Sequence, residues 1–156
     1  MGSNAVQRLL GLTAHERRIL MRTFFTLLFV RVALKLLPFA RVRRAVVPRP
    51  GAPTAAWITI DLIRWAIDLA QRVIPDATCL PQAVTAEGLL TRAGLPVLLR
   101  VGVMKDANGK FEAHAWAETG RIIVVGKLPG RFEEYTPMPP LPAAWDDPQA
   151  TRAPSK

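Results

Sequence analysis

Cys79 is the single cysteine of this 156-residue chain, and it stands in "PDATCLPQAV" with a proline two residues behind it. A free cysteine at neutral pH is mostly the weakly reactive thiol; the thiolate is the nucleophile. A helix start favours the anion through its unpaired N–H groups and the helix dipole. The same N–H groups can receive the oxyanion that forms when a carbonyl is attacked. The natural proton partner is His114, in the middle of "KFEAHAWAE". An imidazolium beside a thiolate stabilises it and then protonates the leaving group. Each residue alone also has a packing reading, because lone cysteines commonly fill cores and strand histidines are commonly structural. The other histidine, His15, lies in the first turn of a helix within "AHERR" and is expected to be exposed. One Cys and two His without paired spacing make no zinc site. No metal or cofactor is expected.

The elements around these residues can be read from periodicity. Residues 14–37 form a long helix opened by a capping box, Thr13 with Glu16. A short helix at 39–47 follows Pro38, and "PRPGAPT" at 48–54 is a connector. Residues 55–74 are amphipathic, with Ile58, Leu62, Trp65, Ala66, Leu69 and Val73 on one face and Asp61, Arg64, Asp68 and Arg72 on the other. Pro75 ends that helix, and the next begins at Thr78–Cys79. Pro81 suits its first turn, and Gly94 its C-terminal stop. The period then changes to two. Val97, Leu99, Val101 and Val103 share one face of a strand at 96–105, and "DANG" is a hairpin turn. Along 110–118, Ala113, Ala115 and Ala117 alternate with His114, Trp116 and Glu118. "RIIVVG" gives a third strand, and 131–136 a further one. The order describes one α+β domain: N-terminal helices over 1–52, a core over 53–136 in which the Cys79 helix packs on an antiparallel meander, and a poorly ordered proline-rich tail over 137–156.

Half the residues are hydrophobic, which suits a globular chain. A lone cysteine forms no internal disulfide, so a reducing, cytoplasmic setting is expected. The net charge is +9, and Arg31, Lys35, Arg41, Arg43, Arg44 and Arg49 crowd one stretch. No helix-turn-helix, RNA-binding or zinc-finger pattern accompanies them, so nucleic acid is the weakest of the partners such charge could meet. The apolar segment 19–37 has an uncharged run of only eight residues, 23–30, where a membrane span needs about 20. A secretory signal is excluded too, since no A-x-A-like cleavage site follows the run. A buried packing helix is favoured over a peripheral membrane contact.

The segments "ATCLPQAVTAEGLLTRAGLPVLLRVGV", "GKFEAHAWAE" and "GRIIVVG" together resemble the transglutaminase-like (papain-like) leader peptidases of lasso-peptide biosynthesis, over roughly 55–136. The resemblance implies a Cys79 nucleophile and a His114 general acid/base that cleave the leader from a ribosomally made precursor. It implies as partners the precursor peptide, a separate leader-recognition protein and an asparagine-synthetase-like lasso cyclase. Members of that family often carry an aspartate about a dozen residues beyond the histidine. Here that place falls near Gly126, and 121–127 hold no acid. Glu118, on the His114 face, is the nearest carboxylate to orient the ring, with a backbone carbonyl or Gln82 as the alternatives. Trp116 is expected to wall the cleft, and Gln82 to touch substrate. Two other functions stay open on the residues alone: an acyl transferase or amidase using the same pair, or a non-catalytic basic binding module.

Overall fold

The computed structural model describes residues 11–49, 60–106, 108–128, 130, 132–139, 141–142 and 144. Helix α1 spans Ala14–Leu36, and its capping box forms as expected: the Glu16 N–H donates to Thr13 Oγ1, and the Thr13 N–H to Glu16 Oε2. Helix α2 is Phe39–Val46, α3 Ile60–Gln71 and α4 Cys79–Arg92. The expected start of α3 at residue 55 and most of the 48–54 connector lie outside the described residues. Gly94, at φ 78°, ends α4 with N–H bonds from Gly94 to Thr91 and from Leu95 to Leu90. That left-handed residue satisfies carbonyls the helix end would leave open.

Strands β1 (Leu98–Lys105), β2 (Phe111–Thr119) and β3 (Ile122–Val125) form the antiparallel meander. A short β4, Thr136–Pro137, returns to the far edge, so the sheet order is β3-β2-β1-β4. The strand anticipated at 131–136 is thus mostly a 3-10 turn, Phe132–Glu134, with pairing confined to its last residue and Pro137. Register sets Leu99 against Ala117, Val101 against Ala115 and Gly102 against His114. Leu99, Ala115 and Ala117 therefore point at α4, where they join Ile63, Val84 and Leu90 in the main core. The small alanines on β2 let the helix approach the sheet closely. This is an α+β architecture in which the sheet holds one face of α4, and α1 and α3 pack on it elsewhere.

Four expectations need correction. The buried face of α3 is Leu62, Ile63, Ala66, Ile67 and Ala70, not the Trp65–Leu69–Val73 row; Val73 is 68% exposed. Both rows are apolar, and packing against α1 and α4 selects between them. Met138 and Leu141, expected in a loose tail, are tied to the sheet, since their N–H groups donate to the Val101 and Leu99 carbonyls. The later tail, 145–156, lies outside the described residues. Arg43 leaves the expected basic patch altogether. It is 4% exposed and bonds both Glu87 oxygens and the Pro142 carbonyl. Arg31 is likewise paired, with Asp76 at 2.8 Å. His15, expected to be exposed, is half-buried.

Candidate active site

The chain between α3 and α4 places Cys79. Asp76 takes a left-handed conformation, φ 54°, which Asp tolerates, and its carbonyl accepts from the Thr78 N–H at 2.8 Å. Thr78 is the extended N-cap residue, so Cys79 is the first residue of α4. The first intrahelical bond runs from the Gln82 N–H to the Thr78 carbonyl, 3.4 Å. The Cys79 and Leu80 N–H groups lie ahead of it, and Pro81 has no N–H to lose. Cys79 is a free, half-buried thiol resting against the main core.

His114 is held from three sides. Its ring lies 20° from the plane of Trp116 with centroids 6.3 Å apart, and it packs at 43° on Tyr135, 5.3 Å away. Its Nε2 bonds the Gly126 carbonyl at 2.5 Å. In the neutral ring Nε2 is then the donor, which leaves Nδ1 as the basic nitrogen. Gly126 can serve only as glycine. Its φ is 90°, and a Cβ there would lie 2.7 Å from the Ala115 carbonyl oxygen and 2.7 Å from Trp116 Cβ. Between Ala117 and Glu118 the β2–β3 register shifts, which leaves Val124 as an extra residue on β3 shortly before Gly126.

Cys79 and His114, far apart in sequence, line one open cavity of about 810 Å³. Arg64, Asp68 and Gln71 of α3 form a second wall, Gln82 the floor beside Cys79, and residues 121–128 the third wall. Arg64 fastens two of these walls together, donating to the Val124 and Ile123 carbonyls at 3.1 and 3.0 Å. Arg64, Arg121 and Lys127 outnumber Asp68 among the charged lining groups, so the cavity is electropositive. That surrounding favours a thiolate and a negatively charged tetrahedral adduct.

The other expected site residues fall as follows. Gln82 lines the cavity, but both hydrogens of its amide are taken, by Gln71 Oε1 at 2.7 Å and the Ala77 carbonyl at 2.6 Å. It braces the loop before Cys79 and does not orient the His114 ring. Glu118 is not on the ring either: its carboxylate bonds Arg100 and accepts from Trp116 Nε1. The alternation of β2 puts Glu118 on the His114 face, yet Arg100, across the ladder on β1, captures it. Trp116 is 3% exposed and is not among the cavity-lining residues; it supports the imidazole from the sheet side instead of walling the cleft. The orienting group is a backbone carbonyl, at the position where the sequence lacks the acid. Arg64 and Gln71 were missed, because on a helical projection they read as solvated polar residues.

The sequence pattern of the Transglutaminase-like superfamily matches residues 24–139, a span that runs from within α1 to just past β4 and includes both Cys79 and His114. Among curated proteins and solved structures, none matches the chain. The α+β order, the cysteine at a helix start and the histidine on the following sheet agree with that pattern, whose members are generally cysteine-dependent enzymes. The chain belongs to the Transglutaminase-like superfamily.

Proposed function

We propose that this protein is a cysteine peptidase that removes the leader from a lasso-peptide precursor. The observation that carries the chemistry is the shared cavity of Cys79 and His114, with His114 Nε2 on the Gly126 carbonyl and Nδ1 left for the thiol. The substrate class is supported by the pairing of "TCLPQAV" with "EAHAWAE". In the reaction, the thiol proton passes to the His114 ring and the thiolate attacks the scissile carbonyl. The Cys79 and Leu80 N–H groups face the resulting oxyanion. The imidazolium then protonates the departing amine, leaving a thioester on Cys79. Water, deprotonated by His114, attacks the thioester and releases the leader's new carboxylate. The Gly126 carbonyl holds the imidazolium in place without a carboxylate; a Cys–His dyad of this kind is enough for a strong thiolate nucleophile.

Mass spectrometry of a candidate precursor after incubation with the protein tests this reading. Two fragments whose masses sum to the precursor plus water support a peptidase. A product joined to an added amine instead indicates acyl transfer by the same pair. A long flexible precursor is costly to order, so a separate leader-binding protein belongs to the proposal as a tether. Cleavage by the isolated protein is expected to be slow, and adding that partner is expected to raise it at least about tenfold at subsaturating precursor.

A further inference from the structure

Helix α1 is apolar on two faces, and the fold uses only one of them. Ile19, Thr23, Leu27, Val30 and Ala33 point into the molecule. Met21, Phe25, Leu28, Phe29, Val32 and Leu36 point out, with Phe25 58% and Leu36 76% exposed. Their spacing of three and four residues confines them to about 100° of the helix circumference. From Met21 to Leu36 the stripe runs about 22 Å along the helix. An apolar stripe of this length on a surface helix marks a binding face.

The charge around the stripe identifies what it meets. Residues 17–49 hold nine Arg and Lys and no Asp or Glu, while the rest of the chain balances twelve cations with twelve anions. The whole net charge of +9 therefore originates in α1, α2 and their connections. Arg31 and Arg43 are neutralised internally. Arg17, Arg18, Arg22, Lys35 and Arg41 are exposed, with no ion pair among the described residues. On the helical projection Arg22 lies along one edge of the stripe and Arg17 and Lys35 along the other. Long cationic side chains beside an exposed apolar row can reach phosphates while the apolar groups sink below them. No helix among the described residues is long and apolar enough to cross a membrane.

We infer that α1 lies on an anionic lipid bilayer, with its Met21–Leu36 face in the headgroup boundary and its cations on the phosphates. A bilayer suits this face better than an acidic peptide helix. The depression beside it at Phe25 and Phe29, about 230 Å³, covers just a fraction of the stripe. None of the α1 residues lines the Cys79–His114 cavity, so the docked molecule keeps that cavity open to a peptide. The inference does not depend on the peptidase reading.

The test is flotation of the full chain with phosphatidylcholine vesicles, alone or with about 30% phosphatidylglycerol, an anionic content that makes basic segments bind. Partition onto the anionic vesicles is expected to be at least about tenfold higher and to weaken with added salt. Phe25→Ser with Phe29→Ser lowers it at least about tenfold, with the unfolding midpoint and the rate of Cys79 alkylation unchanged. Leu36→Ser, at the most exposed of these side chains, serves where the double variant does not fold. No flotation with anionic vesicles overturns the inference. So does flotation that survives both kinds of apolar substitution, which is charge attraction without this face. A dimer that falls to a monomer in the Phe variants and ignores vesicles assigns the face to a second copy and also overturns it.

Discussion

Gly126 fixes the histidine with a backbone atom, and this makes the site sensitive at a residue with no side chain. Gly126→Ala places a methyl against Ala115 and Trp116 at a φ that L-residues adopt at a cost of about 1–2 kcal/mol. The expected result is a lowered unfolding midpoint together with at least a tenfold slower alkylation of the thiol. An alkylation rate equal to wild type would separate the Gly126 carbonyl from the chemistry. Cys79→Ala is expected to abolish turnover while stability stays within about 1 kcal/mol, because a half-buried thiol contributes little packing. Residual wild-type cleavage in that variant would dismiss the nucleophile assignment. Glu118→Gln is expected to cost at most about tenfold in kcat/KM, since its carboxylate acts on Arg100 and Trp116, a step removed from the ring. A loss of several orders of magnitude would make it the triad acid after all. At this scale the sequence singled out Cys79 and His114 by residue type and placement, and the fold brings both to one cavity. It left the orienting group open among Glu118, Gln82 and a backbone carbonyl, because a carbonyl leaves no trace in residue identity.

Between elements, the strongest polar tie is Arg43 of α2 on Glu87 of α4, each 4% exposed and joined by paired N–H donors. Charges removed from water this fully depend on each other. Glu87→Gln or Arg43→Met is expected to lower the free energy of unfolding by about 3–5 kcal/mol in urea titration, whereas Arg43→Met with Glu87→Leu recovers most of the loss. If the single variants lose less than the double, the pair is not a coupled buried unit. Arg43 reads as a surface charge in the sequence, since a short basic helix looks solvated until the two helices are packed together. Helix α3 teaches the same lesson with apolar residues. Its periodicity gave the element, but Ile63, Ile67 and Ala70, not the Trp65–Val73 row, meet the core. A helix with apolar residues around much of its circumference leaves the buried arc to its neighbours.

Across the whole molecule, the segment after β4 works as a strap. It bonds the outer edge of β1 through Met138 and Leu141 and offers the Pro142 carbonyl to Arg43, linking sheet to helices. Ending the chain at Pro137 removes, among the described residues, two backbone bonds and one charge-assisted bond, and is expected to cost roughly 2–5 kcal/mol. Unchanged unfolding of the truncated chain would show that the strap adds nothing. Local rules sufficed for much of this protein: the Thr13–Glu16 capping box, the proline and glycine boundaries, the hairpin at Asp106–Gly109 and the alternation of β2 all depend on near neighbours. From them the α+β class could be read directly, and Cys79 and His114 stood out as a candidate pair. Tertiary structure alone decided that residues 121–128 and α3 close the cavity, that Arg43 is buried, that the strap is held, and that one apolar face of α1 stays exposed. Those outcomes arise from contacts between segments distant in sequence, where which surface is desolvated depends on every element packed beside it and on no local pattern.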